Sequence, residues 1–223
     1  MAETRTIPIV FTVVAEPVAS GFAASLARPG RNITGFTNVE PSIAGKWLEL
    51  VKEMAPPVAR VGLIFNPTTA PYAGPFLQAA EAAAARLGVE SVVVPIHDDA
   101  EIKDAVAGLS RKHASALVGI TDSLIIEHRK MIIGLADQYR LPAVYPFRLF
   151  ATDGGLMSYG ADIVDMYQGA ASYIDRVLRG EMPSDLPVQQ PTKFELVLNL
   201  KTAKALGLEI PATVLARADE VIE

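Results

Sequence analysis

The sequence contains no cysteine among its 223 residues. Disulfides, thiolate nucleophiles and cysteine-ligated metal centres are therefore excluded. Basic residues are outnumbered by acidic ones, 20 against 25, and they form no basic block. Because nucleic-acid backbones bind clustered Lys and Arg, we do not expect nucleic acid as a partner. An anionic small molecule is still compatible with this composition, since helix N-termini bind anions without net positive charge.

Long apolar runs are also missing, because none reaches the roughly 18 residues that a membrane-spanning helix needs. The first residues, Met-Ala-Glu-Thr-Arg-Thr, carry neither the positive segment nor the apolar stretch of a signal peptide. The chain as given is therefore expected to have no signal peptide. Strand-like residues begin almost at once, at Ile7, which suggests that something upstream has been lost.

Catalytic groups are scarce as well. The sequence has three histidines and no P-loop, G-x-G-x-x-G or nucleophile-elbow serine. His97, Asp98 and Asp99 could form a metal or acid–base cluster, but adjacent residues on a turn rarely converge, and a solvated helix cap is the favoured interpretation. We therefore expect a protein that is not an enzyme and that has no cofactor and no metal.

Short apolar runs alternate with helical patterns along most of the chain. Strands are predicted at 7–14, 33–37, 60–65, 91–95, 115–121, 142–145, 156–159 and 194–199. Helices are predicted at 18–27, 42–54, 73–87, 99–112, 123–139, 163–179 and 200–207. This alternation predicts βαβ units and an α/β fold with a parallel sheet. Strand 7–14 is β-branched and apolar, as expected for a strand covered on both faces.

Polar or aromatic residues follow at least five of these strands. In open parallel sheets, ligands bind outside the carboxyl ends of the strands, so we look for the site there. Asp122 could accept a ligand ammonium group, or it could simply cap the helix that follows. Asn66 could bind a ligand through its amide or form an Asx-turn. Thr68 and Thr69, near the start of helix 73–87, could hold a carboxylate or be ordinary loop residues.

Three aromatic and two further acidic residues stand at other strand ends. Tyr145, Phe147 and Tyr159 could stack on an apolar or aromatic ligand, or they could pack in the core or a hinge. Glu16 and Asp162 could reach a bound ligand, or they could be solvated helix caps. These residues complete the set of candidate ligand-binding positions.

Three stretches point to a known family: GLMSYG at 155–160, LPAVYPF at 141–147 and LPVQQPTKFELVLNLKTAKALGL at 186–208. With them, essentially the whole chain resembles ABC-transporter substrate-binding proteins, in particular the tryptophan/phenylalanine-binding branch of the type I periplasmic-binding fold. The resemblance implies two Rossmann-like lobes with parallel sheets, which close on a small amino-acid-like ligand and present it to an ABC permease in the membrane. It also implies a periplasmic location.

Members of that family are usually longer than this chain, so the resemblance implies a complete second lobe and a partial first lobe. Residues 1–38 and 153–183 would belong to the partial first lobe, and residues 39–152 and 184–223 to the second. A partial first lobe would leave apolar surface and a sheet edge exposed, so a homodimer through this lobe is one expectation. The alternative function is a cytoplasmic small-molecule-sensing or enzymatic α/β domain of the same fold, because fold alone does not fix function.

Overall fold

The computed structural model describes residues 4–223 and divides into two compact units. Unit 1 consists of the described part of residues 1–40 together with residues 161–194. Unit 2 consists of residues 41–160 and 195–223. Each unit is described separately below.

Unit 2 is built around a seven-stranded sheet with the strand order β4-β3-β5-β6-β7-β8-β9. The pairs β3–β4, β3–β5, β5–β6, β6–β7 and β8–β9 are parallel, which confirms the predicted α/β architecture. The strands are β3 (Arg60–Phe65), β4 (Glu90–Pro95), β5 (Ser115–Gly119), β6 (Ala143–Tyr145), β7 (Met157–Ala161), β8 (Phe194–Asn199) and β9 (Glu220–Ile222).

Helices connect these strands and cover the sheet. They are α1 (Ile43–Met54), α2 (Gly74–Leu87), α3 (Asp99–Ser110), α4 (Ser123–Glu127), α5 (Arg129–Gln138), α6 (Arg148–Thr152), α8 (Leu200–Leu206) and α9 (Ala212–Leu215). β5 is buried along its whole length, and β3 is buried after its first residue, as near-continuous apolar strands of a covered parallel sheet should be. Trp47 of α1 and Phe76 of α2 are fully buried and their rings stack, which joins the two helices.

Unit 1 contains a two-stranded parallel sheet, formed by β1 (Ile9–Val14) and β2 (Ile33–Thr37), and the helix α7 (Ile163–Leu178). A 3-10 turn, Pro183–Asp185, follows α7. α7 packs against both strands. All six residues of β1 are partly exposed, so the prediction of a strand covered on both faces is wrong. Within the described residues β1 has a strand neighbour on one side only, which explains this exposure.

The boundaries of the units differ from those expected for the lobes. Residues 153–160 lie in unit 2, because β7 pairs with β6. Residues 184–194 lie in unit 1, where the Leu186 carbonyl accepts a hydrogen bond from the Thr34 hydroxyl at 2.7 Å. Gln189 also forms a parallel bridge with Phe36. The assignment of the two units to the two lobes of a binding protein stays a prediction.

Two helix predictions need correction. Residues 18–27 form turns and bends instead of a helix, since Gly21 adopts a positive φ and prolines stand at both ends of the segment. The predicted helix 123–139 is interrupted at His128, which ends α4 and begins α5. The sequence did not predict α6, α9 or β9, all of which have five residues or fewer. Within residues 4–223, no helix has both the length and the apolarity to cross a bilayer.

Candidate functional site

The carboxyl ends of the adjacent strands β3 and β5 are joined by one side chain, that of Asp122. This residue is 1% exposed, and its Oδ2 accepts a hydrogen bond from the backbone N–H of Asn66 at 2.5 Å. Its Oδ1 accepts from the N–H of Leu124 at 3.0 Å and from the hydroxyl of Thr69. The carboxylate thus ties the turn after β3 to the first turn of α4.

These bonds bear on the two interpretations of Asp122. A carboxylate offers about four acceptor positions, and three of them are occupied by protein donors. The bond to Leu124 is the N-cap that the sequence allowed. The structure therefore favours a role in which Asp122 holds the turn after β3 against the start of α4. Direct contact of its carboxylate with a ligand ammonium group stays a prediction.

The turn that follows β3 contains three of the candidate residues. Asn66 is buried, and its Oδ1 accepts a hydrogen bond from the N–H of Thr68 at 2.7 Å, which is the Asx-turn interpretation. Thr68 and Thr69 are exposed. Because α2 begins only at Gly74, neither threonine lies in the first turn of that helix. Thr69 donates its hydroxyl to Asp122.

Tyr145 and Phe147 are both buried in unit 2. The ring of Tyr145 stacks on Phe150 with a centroid separation of 4.8 Å, and burial raises the pKa of its phenol well above the ordinary value. This placement favours core packing over stacking on a ligand. Tyr159 is half-buried in β7, and its carbonyl accepts a hydrogen bond from the Trp47 indole at 2.7 Å.

Asp162 and Glu16 belong to unit 1, and their environments differ. Asp162 caps α7 by accepting from the N–H groups of Val164 and Asp165, and it accepts a hydrogen bond from Lys193 at 2.6 Å. The bond to Lys193, followed by the bond from Asp165, lowers the pKa of Asp162. This geometry favours the helix-cap interpretation. Glu16 is half-buried instead, and its pKa is raised, first by burial and then by the nearby Glu40.

Sequence reasoning named Tyr145 as a candidate but missed four other polar residues in or near strand ends, namely Thr37, Asn38, Thr121 and Ser158. Five buried atoms have no hydrogen-bond partner within the described residues: Thr37 Oγ1, Asn38 Oδ1, Thr121 Oγ1, Tyr145 Oη and Ser158 Oγ. All of them belong to residues within β2, β6 or β7 or within two residues of the end of β2 or β5. The signal that could have found them is position alone, because polar side chains that follow the apolar strands of one parallel sheet lie at the same edge of that sheet. This applies separately to the residues of unit 1 and to those of unit 2.

Sequence reasoning also missed Tyr72 as a candidate site residue. Its hydroxyl donates to the carbonyl of Thr121 at 3.0 Å, so this ring spans the same edge as Asp122. Burial, and then the negative charge of Asp122, raise the pKa of Tyr72 to about 12. The sequence feature that could have indicated Tyr72 is its position in the loop that follows Thr69.

Two of the three histidines lie beside carboxylates in the structure. His97 Nδ1 lies 2.8 Å from Glu101 and His128 Nδ1 lies 2.9 Å from Asp99. Asp98 caps α3, as the favoured interpretation of that turn predicted. In the part of the chain that the structure describes, no group of three or more His, Asp or Glu side chains is arranged to hold a metal ion.

Comparison with known families decides the class of protein. Residues 1–222 match the family described as ABC transporter substrate binding protein. The chain belongs to this family. The resemblance expected from the sequence is thereby confirmed, and so is the expectation of a binding protein that is not an enzyme.

Individual relatives of known class support the same family assignment. The chain is 30% identical over 206 residues to a tyrosine-binding protein of Clostridioides difficile (strain R20291); the match covers 92% of this chain and 59% of that protein. A conserved domain protein from Vibrio cholerae is 30% identical, with a TM-score of 0.88 over 98% of this chain and 72% of its own. The ABC domain in complex with L-Trp from Streptococcus pneumonia is 26% identical, with a TM-score of 0.87 over 98% of this chain and 73% of its own.

These similarities confirm the type I periplasmic-binding fold that the sequence suggested. The chain spans 59% of the length of the tyrosine-binding relative and about 72% of the solved relatives. The activity of a whole protein of this family is therefore treated below as a proposal.

Proposed function

We propose that this protein is the solute-binding component of an ABC importer and that its ligand is an amino acid with an aromatic side chain. The observation that carries the proposal is the pair of relatives, one named as tyrosine-binding and one solved with L-Trp. Membership of the family supports delivery of the ligand to an ABC permease at the membrane, and with it a periplasmic location. A cytoplasmic sensor or enzyme has no comparable support.

The strand ends of unit 2 supply groups that suit such a ligand. Thr68 is an exposed residue that carries a hydroxyl, and the buried Thr121 Oγ1, next to Asp122, has no hydrogen-bond partner within residues 4–223. Hydroxyl donors of this kind can hold a carboxylate. The half-buried rings of Tyr72 and Tyr159 offer aromatic surface for a ligand side chain. In this proposal Asp122 positions the turn that carries Asn66, Thr68 and Thr69.

Calorimetry on the 223-residue chain tests the proposal. L-Tyrosine, L-tryptophan and L-phenylalanine should be titrated beside L-alanine and glucose as non-aromatic controls. We expect at least one aromatic amino acid to bind with a Kd on the order of 1 μM, about −8 kcal/mol, and neither control to bind comparably. Absence of binding by all three aromatic amino acids would contradict the proposal.

A matched pair of threonine variants connects the binding to the strand edge. Thr121→Ala removes the unpartnered buried hydroxyl and should weaken binding of the aromatic amino acid about five- to tenfold, the value of one ordinary hydrogen bond. Thr152→Ala removes an exposed hydroxyl that bonds only to the Leu149 carbonyl within α6, and it should leave binding unchanged. Equal affinities of the two variants would place the ligand elsewhere.

A further inference from the structure

Unit 2 contains a pocket at the edge of its sheet opposite Asp122. Strands β3, β5 and β6 run parallel, so the segments that lead into them meet at the edge where these strands begin. Residues from all three segments, 55–58, 110–115 and 139–142, line this pocket, which has a volume of about 300 Å³. This volume lies at the lower end of the range for small-molecule sites. The pocket is therefore separate from the carboxyl ends of the strands, where the proposed amino-acid site lies.

The charged residues that line this pocket are all basic. Lys112, His113 and Arg140 line it, and no Asp or Glu does. The whole chain has the opposite balance, because its acidic residues outnumber its basic ones by 25 to 20. All three residues are exposed, and none of them forms an ion pair within residues 4–223. The pocket thus carries positive charge that no ion pair of the described chain neutralises.

The backbone beside these cations adds hydrogen-bond donors. Ala114 and Arg140, which stand shortly before β5 and β6, have positive φ values of 58° and 52°. Residues with a Cβ rarely adopt this left-handed conformation, and those that do are concentrated at functional sites. The N–H groups of His113 and Ala114 donate to no other backbone group within residues 4–223. Successive N–H groups in a turn of this kind can form a concave site for an anion.

The rest of the pocket lining is largely apolar. Ala55, Val58 and Leu141 line it, and each is only 3% or 4% exposed. Tyr139 and Leu208 also line it and are half-buried. Apolar side chains beside a few convergent polar groups are typical of a small-molecule site. This combination suits a ligand that has an anionic end and a compact apolar body.

We propose that this pocket binds a phosphate monoester with a compact apolar or aromatic body. Such a phosphate carries a charge of about −1.5 to −2 at neutral pH and has three strong acceptor oxygens. The guanidinium of Arg140 and the ammonium of Lys112 match this charge, and the N–H groups of residues 113 and 114 supply further donors. A carboxylate brings only one charge to the same set of donors. This site goes beyond the proposed function, because the amino-acid ligand is assigned to the other edge of the sheet.

Three soluble probes test the chemical class by calorimetry on the full chain. Phenyl phosphate has the dianion and the ring, benzenesulfonate has the ring with a single charge, and inorganic phosphate has no ring. We expect phenyl phosphate to bind saturably and the other two to bind at least about tenfold more weakly. Equal binding of benzenesulfonate would show that one charge is sufficient, and equal binding of inorganic phosphate would show that the apolar lining is not used. Either result, or no binding of phenyl phosphate, would overturn the proposal.

Charge variants connect the binding to this pocket. Lys112→Gln and Arg140→Gln should each weaken phenyl phosphate about tenfold, as loss of a hydrogen bond to a charged group does, and Lys112→Arg should keep most of the affinity. Arg86→Gln is the matched control, because Arg86 is an exposed cation on α2 that does not line the pocket. Thermal unfolding should be unchanged in all four variants, since each replaces an exposed side chain. Equal weakening by Arg86→Gln, or unchanged binding in both pocket variants, would show that phenyl phosphate binds elsewhere.

Two further measurements separate this site from other sources of binding. Saturating L-tyrosine should not displace phenyl phosphate; displacement would place the phosphate in the amino-acid site and overturn the proposal. Phosphatidylcholine vesicles with phosphatidic acid present the same phosphate chemistry on a membrane surface, and we expect the protein not to sediment with them. Sedimentation with these vesicles, without binding of soluble phenyl phosphate, would favour a lipid surface instead. None of these outcomes changes the test of the proposed function, which uses amino acids as ligands.

Discussion

At the scale of single residues, the same residue types at strand ends have different roles because their surroundings differ. Asp122 and Asp162 each accept three hydrogen bonds from protein donors, whereas Asn38 Oδ1 has no donor within residues 4–223. Sequence position alone could not separate these cases. It predicted that acids and amides would stand at the strand ends, but the number of donors around each one depends on residues far away in the sequence, such as Asn66 for Asp122.

The role of Asp122 as a link between β3 and α4 leads to a prediction about stability. Asp122→Ala removes an acceptor from the buried N–H of Asn66 and two bonds to Leu124 and Thr69, so we expect the free energy of unfolding to fall by about 2–4 kcal/mol. Denaturant titration measures this loss. Asp98→Ala is the matched control, because Asp98 is an exposed N-cap that accepts two backbone hydrogen bonds. Its replacement should lower the free energy of unfolding by only about 1 kcal/mol. Equal losses would show that Asp122 is no more than a helix cap.

At the scale of elements, the strand–helix alternation was predictable wherever an apolar run was long. β3, β5 and β8 were found close to their predicted bounds, since buried strands of a parallel sheet are nearly continuous in apolar residues. The prediction of a helix at 18–27 was wrong, because glycine and proline favour turns there despite the helical spacing of the apolar residues. The short elements α6, α9 and β9 are stabilised by packing against the rest of unit 2, and that information is not local in the sequence.

The close approach of β6 and β7 depends on a glycine. A methyl group on Gly160 would collide with the backbone carbonyl of Pro146, and backbone cannot move aside as a flexible side chain can. We expect Gly160→Ala to lower the free energy of unfolding by about 1–3 kcal/mol, as overpacking does. Gly134→Ala is the control: this α5 glycine has open space around it, and alanine should raise stability by about 0.5–1 kcal/mol. A neutral Gly160→Ala variant in denaturant titration would contradict the contact.

At the scale of the whole molecule, unit 1 presents an apolar surface that nothing in the described chain covers. α7 buries one face, which includes Met166, Ala170 and Tyr173, against the strands of its unit. A second stripe is exposed at spacings of three and four residues. Its large members are 46% to 81% exposed, and the stripe consists of Val164, Tyr167, Ala171, Ile174 and Leu178. This spacing is that of a helix packing seam.

The stripe has the symmetry that a two-fold dimer needs. If the axis passes by Ala171, two antiparallel copies of α7 place Val164 of one opposite Leu178 of the other, with the small alanine at the closest approach. The same arrangement brings Asp165, near the start of α7, toward Arg176 of the second copy. The present partner of Arg176 is the exposed Glu181, and an exposed pair of this kind costs little to exchange.

We therefore expect the 223-residue chain to form a homodimer through unit 1, with a second copy covering the α7 stripe. Light scattering and sedimentation over a concentration series should show a monomer–dimer equilibrium, because a single-helix seam is smaller than the roughly 1,200 Å² of a stable interface. Ile174→Glu puts a charge in the centre of the seam and should give a monomer that unfolds as the wild type does. Val93→Glu charges an equally exposed apolar residue on β4 in unit 2 and should leave the equilibrium unchanged. A wild type that stays monomeric throughout, or a dimer that only Val93→Glu dissolves, would show that α7 is not the interface.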